Sequence, residues 1–288
     1  MIVLTYKKAV EKLLDGGIES AAYEASILFE KLLDIGAAEL PFARDRELES
    51  DELVSALERR LSGEPLQYII GEWYFYGLTF EVNENCLCPR ADTEIAVETA
   101  IKLLPKNAKF LELCTGSGCI PISICKNRTD VIGVATDIFP ATLDIAKRNA
   151  VANGVEKRLE FVKANVFDVD YWLCGEGKKL VPMDKFDAII SNPPYIPTRD
   201  IEDLSREVKR EPRAALDGGE DGLDFYREMI DKYGALLKKD GIMIFEIGFD
   251  QADQLRELSD RAGYRCQVFK DLGGNDRVCV IRMIGEKI

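Results

Sequence analysis

From residue 90 onward the chain alternates in a way that leaves few folds open. Apolar runs near residues 110, 132, 160, 187, 243, 266 and 279 are separated by stretches carrying apolar residues at helical spacing. A strand followed by a helix cannot close a tight hairpin with the next strand, so successive strands run parallel in one sheet and helices cover both faces. The expectation is an α/β fold: a doubly wound, mostly parallel, seven-stranded sheet that takes its ligands at the carboxyl ends of the strands. Only a short connection separates Arg265-Cys266-Gln267-Val268-Phe269 from the last run, Val278 to Met283, which predicts one antiparallel hairpin at the far side of the sheet.

The residues before this domain read differently. Segments 3 to 15, 19 to 34 and 50 to 62 have helical apolar periodicity, with Ser50-Asp51 as a cap for the third, and predict a small helical bundle. Trp73 to Phe80 alternates and is dense in aromatics, as in a hairpin linker. The expected parts are a helical domain over 1–70, a hairpin linker over 71–88 and the α/β domain over 89–288. Within the last, 168 to 184 reads as a surface excursion and 196 to 222 as a long loop, a length that favours a lid.

Two motifs sit where such a sheet binds ligands. Phe110-Leu111-Glu112-Leu113 runs into Cys114-Thr115-Gly116-Ser117-Gly118 and then into the apolar stretch Ile120 to Cys125, a strand, glycine turn and helix start. The glycines let backbone approach a ligand closely, and a helix N-terminus favours an anionic group. The next strand, Val131 to Thr136, ends in Asp137, placed for a carboxylate that grips a ribose diol; a helix N-cap ahead of Pro140 is the plain alternative. Nicotinamide or flavin binding is a rival reading of this pair.

The second motif, Asn192-Pro193-Pro194-Tyr195, follows the apolar run Phe186 to Ser191. Proline has no N–H and a nearly fixed φ, so Pro-Pro makes a stiff turn with free carbonyls. A planar NH2 group, on a side-chain amide or a base, has two donors that fit the Asn192 side-chain oxygen and the Pro193 carbonyl together. Tyr195 is placed to stack on the flat group.

Composition narrows the chemistry. The chain has 288 residues, 47% hydrophobic, eight cysteines and no histidine. Without histidine the Ser-His and Cys-His nucleophile arrangements are excluded, and a zinc site would need cysteines or carboxylates alone; no metal is expected. No run approaches the ~18 apolar residues that span a bilayer, and Met1 to Lys8 lacks a signal peptide's order of regions, so a cytoplasmic location is expected. Charge is 38 Lys+Arg against 51 Asp+Glu, −13 overall, with 8 basic and 15 acidic side chains in residues 1–80. Nucleic-acid binders neutralise phosphates with clustered Lys and Arg, and no such cluster stands out, which disfavours a nucleic-acid partner.

Glycine turn, acidic strand end and strand-terminal Asn-Pro-Pro-Tyr, in that order, resemble the S-adenosylmethionine-dependent amino-methyltransferases. Four further segments narrow the resemblance. Pro89-Arg90-Ala91-Asp92-Thr93-Glu94 is similar to the PRPETE segment of the bacterial protein-(glutamine-N5) methyltransferases of peptide chain release factors, the HemK/PrmC family. Glu211 to Leu223 is similar to that family's EPxxALxGGxDGL, Asp271 to Val278 to its DxxGxxRV, and Gly63 to Ile69 to the GEPxxYI joining its two domains.

The resemblance implies a Rossmann-like methyltransferase sheet, S-adenosyl-L-methionine as cofactor and class 1 release factors as partners. The implied reaction is methylation of N5 of the glutamine in their Gly-Gly-Gln motif, with residues 1–70 contributing to holding the protein substrate. It assigns catalysis to Asn192, Pro193, Pro194 and Tyr195, and substrate binding to these and Arg90, whose plain alternative is an ion pair. It assigns cofactor binding to Cys114, Thr115, Gly116, Ser117, Gly118, Asp137, Asn165, Val166 and Asn192. The alternatives are a glutamine of a ribosomal protein and, more distantly, adenine N6 of a nucleic acid. The chain departs from the family pattern in three places. Cys114 stands where glycine is usual, and a positive φ there carries a cost. Ala164-Asn165-Val166 replaces the usual aspartate opposite the adenine amine, leaving an uncharged acceptor, and Ala91-Asp92 replaces Pro-Glu.

Overall fold

The computed structural model describes residues 3–283, so the outermost ends of the expected first and third parts, residues 1–2 and 284–288, lie outside the described residues. The chain divides into two compact units: Met1–Glu72 together with Ser205–Arg210, and Trp73–Leu204 together with Glu211–Ile288.

The first unit is built on the helices Tyr6–Asp15, Ala21–Leu33 and Asp51–Leu61. The first of them starts later than its periodicity predicts. Val3–Leu4 pairs antiparallel with Leu48–Glu49, and the helix begins only after Thr5, whose extended backbone and hydroxyl, accepting from Lys8 N at 3.1 Å, make it the N-cap. Ser50 caps the third helix in the same way, accepting from Leu53 N at 3.1 Å. Ala9, Leu13, Ala25, Leu28, Phe29, Leu53 and Leu57 meet in the core. Among them runs a buried ion pair, Arg60 Nε to Glu24 Oε2 at 2.5 Å, and Arg60 also holds Glu207 at 2.9 Å.

Apart from Glu72, the hairpin Glu72–Phe75 and Leu78–Glu81 belongs to the second unit. Its sheet has seven strands in the spatial order 264–270, 276–283, 237–246, 186–191, 109–113, 132–137, 159–163. All neighbours are parallel except 276–283, which is antiparallel to both of its own. The antiparallel hairpin therefore closes one end of the sheet. Central strands are buried on both faces and read as continuous apolar runs for that reason. One face packs Phe110, Ile120, Ile190 and Ile244, the other Leu111, Ile189, Tyr226, Met243 and Phe245. The excursion at 168–184 is not merely surface, since it forms short helical turns and buries Trp172 against the second face. No helix among the described residues is long and apolar enough to cross a membrane.

Candidate active site

Chain order reverses between strands 109–113 and 186–191, and a crevice opens outside the carboxyl ends of strands at such a point. Register sets what meets there. Leu113 pairs with Ser191 and Ser191 with Phe245, so Cys114, Asn192 and Glu246 leave three adjacent strands at one level. The Ser191 hydroxyl donates to the Leu113 carbonyl at 2.7 Å and locks two of these exits together. A cavity of about 300 Å³ lies above them.

The glycine turn forms its floor. Cys114 adopts φ +61°, the left-handed conformation that its Cβ makes costly, and Gly116 (+55°) and Gly118 (+80°) follow. At Gly118, the N-cap of helix Cys119–Asn127, a Cβ would stand 2.9 Å from Ile122 Cδ1 and 3.1 Å from Ala146 Cβ, so the close packing excludes a side chain. Asp137 accepts from Gly116 N and from Phe139 N, both at 3.1 Å. Its carboxylate thus braces the turn, while the N-cap of the following helix is Phe139 rather than Asp137. Burial raises the Asp137 pKa despite those bonds. Beneath the turn, the two Glu112 carboxyl oxygens, Thr115 Oγ1 and Ser117 Oγ are buried with no hydrogen-bond partner among the described residues. Burial pushes the Glu112 pKa well up. Of these residues Thr115 and Ser117 line the cavity, and their unsatisfied hydroxyls suit a polar ligand because such groups are costly to leave unpaired.

The walls beyond the turn are apolar. Ile138, Phe139 and Phe167 are 44–47% exposed, high for large apolar side chains, and they line the cavity with Val166 and Phe225. Phe167 and Phe225 meet edge to face, centroids 4.9 Å apart. Such a slot fits a flat aromatic ring. Asn165 stands at its rim, but its side-chain oxygen accepts from Phe167 N at 3.0 Å, so one lone pair is engaged in a local turn and one is left for a ligand.

The tetrapeptide closes the remaining side. Asn192 Nδ2 donates to Thr93 Oγ1 at 3.2 Å, which turns one N–H of the amide nitrogen to the protein. Asn192 and Pro194 line the cavity; Pro193 and Tyr195 do not, and the Tyr195 hydroxyl is directed at Glu246 Oε1, at 3.5 Å. Arg90 lines the cavity with its guanidinium ion-paired to Glu211, whose other oxygen accepts from Cys88 N at 2.9 Å. The ion-pair alternative for Arg90 is thus what the structure contains. Of the other expected cofactor residues, Cys114, Thr115, Gly116, Ser117, Asp137, Asn165 and Val166 line the cavity, and Gly118 lies behind it as a helix cap.

The long loop after Tyr195 is a wall rather than a free lid. Ile196 N donates to Leu216 O at 3.0 Å and Gly218 N to Ile196 O at 2.9 Å, and Gln251 Nε2 holds the Tyr195 carbonyl at 2.9 Å. Gly222, at φ +76°, lets this packing occur, since a Cβ there would stand 2.3 Å from Tyr195 O.

Several contributors went unread in the sequence: Glu112 and Glu246 below the floor, Thr93 behind Asn192, and the aromatic walls. The two glutamates carried a signal, a carboxylate interrupting an otherwise apolar strand run in Phe110 to Leu113 and in Ile242 to Ile247. Phe139, Phe167 and Phe225 carried none, being single aromatics in unrelated segments. No cluster of three or more His, Cys, Asp or Glu side chains among the described residues is arranged to hold a metal ion.

Comparison with known proteins gives a consistent set of similarities. The family model described as PrmC N-terminal domain matches residues 5–71, and one described as Eco57I restriction-modification methylase matches residues 123–257. The release factor glutamine methyltransferase of Geobacter sulfurreducens is 37% identical over 271 residues, covering 92% of this chain and 91% of that protein. Its counterpart in Aquifex aeolicus is 34% identical over 280 residues, covering 95% of each. Among solved structures, a release factor-specific protein-(glutamine-N5) methyltransferase from Alicyclobacillus acidocaldarius is 30% identical, with a TM-score of 0.44, over 71% of this chain and 99% of that one.

Proposed function

Because this chain belongs to the release factor glutamine methyltransferase family, we propose that its cavity binds S-adenosyl-L-methionine and that it methylates N5 of the Gly-Gly-Gln glutamine of class 1 release factors. The observation that carries the reading is the orientation of Asn192. One N–H of its nitrogen is given to Thr93, and this cavity-lining amide keeps its oxygen as an acceptor for the substrate.

The unsatisfied hydroxyls of Thr115 and Ser117 in the glycine turn and the aromatic slot fit the two ends of this cofactor. Cys114, Thr115, Gly116, Ser117 and Gly118 would form the seat for its amino-acid end, Asp137 would take the ribose hydroxyls, and Asn165 and Val166 would border the base. Bound there, the cofactor supplies an electrophilic methyl group. An amide nitrogen is a poor nucleophile because its lone pair is delocalised into the carbonyl. Asn192 Oδ1 would accept one of its two N–H bonds at the cavity, and the Pro193 carbonyl, just outside the cavity lining, would accept the other once the substrate is bound, so holding the amide in one orientation. Pro194 keeps that turn stiff, and Tyr195 packs behind it. Methylation makes the nitrogen's proton strongly acidic, so it passes to water and no histidine is needed. Arg90, paired with Glu211, presents a positioned guanidinium edge for substrate carbonyls. We further propose that residues 1–70 help to hold the protein substrate and that the enzyme works in the cytoplasm without a metal.

The adenine-N6 alternative draws on the match to a restriction-modification methylase, which includes the tetrapeptide but omits the glycine turn and the Pro89 to Glu94 segment. Net charge of −13 argues against it. The test is incubation with radiolabelled S-adenosylmethionine and, separately, a class 1 release factor, the same factor with its Gly-Gly-Gln glutamine replaced, and a ribosomal fraction. Label on the intact factor alone is expected. Label only on ribosomal protein moves the substrate, and label in RNA overturns glutamine altogether.

A further inference from the structure

Helix Pro140–Ala152 grips the linker hairpin and the segment after it with three side chains, Thr142, Asn149 and Asn153, which its pitch brings to one side. The Thr142 hydroxyl donates to Asn85 O at 2.6 Å, and Asn153, at the end of the helix, donates Nδ2 to Thr79 O at 3.1 Å. Between them stands Asn149, 1% exposed. Its Oδ1 accepts from Glu81 N at 2.7 Å, while Nδ2 donates to Glu81 O at 3.0 Å and to Ser117 O at 2.9 Å. Both N–H bonds and the oxygen of the amide are thus used, and the Glu81 N–H fixes which way round the amide stands. Asn149 does not line the cavity, so it touches no ligand.

We propose that Asn149 is a positioning residue for cofactor binding: it anchors the Ser117 carbonyl to strand Leu78–Glu81 and holds the Ser117–Gly118 peptide in the orientation that leaves the seat open. The inference rests on the reading of residues 114–118 as the seat for the amino-acid end of S-adenosyl-L-methionine. Gly118, at φ +80°, has no Cβ to forbid a turnover of that peptide, because glycine takes either sign of φ. Two bonds oppose the turnover, Gly118 N to Thr115 O at 2.9 Å and Asn149 Nδ2 to Ser117 O. Asn149 draws the carbonyl to the rear of the turn, while Ser117 keeps its place in the cavity lining. Turned over, the carbonyl would present its negative end to an arriving carboxylate, at the helix start that otherwise favours an anion.

The strand that serves as anchor is itself held at the same residue. Arg148 pairs with the Glu81 carboxylate through Nε at 2.8 Å and Nη2 at 2.6 Å, next to the Asn149 grip on the Glu81 backbone. From the same helix Ala146 packs against Gly118, so the turn and the strand are both placed by one element.

The test measures cofactor Kd by calorimetry, kcat and both KM values with the release factor, and hydrogen exchange over 114–118, in wild type, Asn149→Ala and Asn153→Ala. Asn153→Ala removes a tie from this helix to the same hairpin without touching Ser117. In Asn149→Ala the cofactor Kd and KM are expected to rise about tenfold, the size of one hydrogen bond's net contribution, with kcat at saturating cofactor and the KM for release factor within about twofold of wild type. Exchange over 114–118 becomes faster, and Asn153→Ala leaves the cofactor Kd alone. A residue that served the fold only would lower the fraction of molecules that bind, seen as calorimetric stoichiometry, and leave Kd unchanged. That result overturns the proposal, as does an equal rise of Kd in Asn153→Ala. If Asn149→Ala does not fold, Asn149→Ser, which keeps one donor and admits a water, is measured and read in the same way. A wild type that binds no S-adenosylmethionine, with exchange over 114–118 still faster in the variant, upholds the anchor and overturns the cofactor reading instead.

Discussion

Asn192 differs from an aspartate by one NH2 group, and that group is what the protein grips through Thr93. Asn192→Asp keeps the shape, loses the donor and brings a negative charge. Turnover is expected to fall by about 10²-fold or more, as on loss of a preorganised hydrogen-bonding group, with the cofactor Kd within a few-fold of wild type by calorimetry. Unchanged kcat would remove Asn192 from the chemistry. Glu246 makes a separate prediction about stability. Its folded pKa of about 7 lies above the ordinary 4.5, so the folded state holds the proton more tightly than the unfolded one. The associated stability is complete below about pH 4.5 and is lost as pH rises to about 7. Glu246→Gln should therefore gain on wild type across that window, by up to about 3 kcal/mol above pH 7, in denaturant melts at a series of pH values. At Cys114, substitution by glycine removes the left-handed strain and is expected to raise stability by up to about 1 kcal/mol; a loss of similar size would show that the thiol's packing outweighs the strain.

At the scale of elements, the loop 211–222 supports the tetrapeptide through backbone contact, so a single Cβ is enough to disturb it. Gly222→Ala, facing Tyr195 O at 2.3 Å and held at positive φ, should cost about 1–3 kcal/mol and lower kcat with little change in cofactor affinity. In the first unit, Arg60→Ala strands Glu24 in the core and should destabilise by about 3–5 kcal/mol, visible as faster hydrogen exchange in helices Ala21–Leu33 and Asp51–Leu61. How legible each part was in the sequence depends on the range of the interactions that define it. Helix starts at Thr5 and Ser50, the glycine turn and the closing hairpin are specified by neighbours a few residues apart, and only the first was misplaced, by the strand pairing of Val3–Leu4. The buried strands stood out because both of their faces are apolar. The partnerships behind the site do not read locally: Asn192 and Thr93 are 99 residues apart, and Arg90 and Glu211 are 121. A guanidinium or carboxyl in a sequence looks the same whether it faces a substrate or another side chain.

For the whole molecule, the cavity, its floor and its backing all belong to the second unit, so ligand binding should stabilise that unit first. Cofactor at a hundredfold excess over Kd is expected to add about 2.7 kcal/mol. Exchange protection should concentrate at 114–118, 137–139, 164–167 and 192–195, and uniform protection across the sheet alone would place the ligand elsewhere. The strand 276–283 lies between 237–246 and 264–270, yet follows both in the chain. On a ribosome, then, two strand edges wait unpaired until the final strand slides between them and brings Arg277 to Asp92. Until that strand is in place the sheet carries two open edges, the kind of surface that exposes a folding intermediate to aggregation.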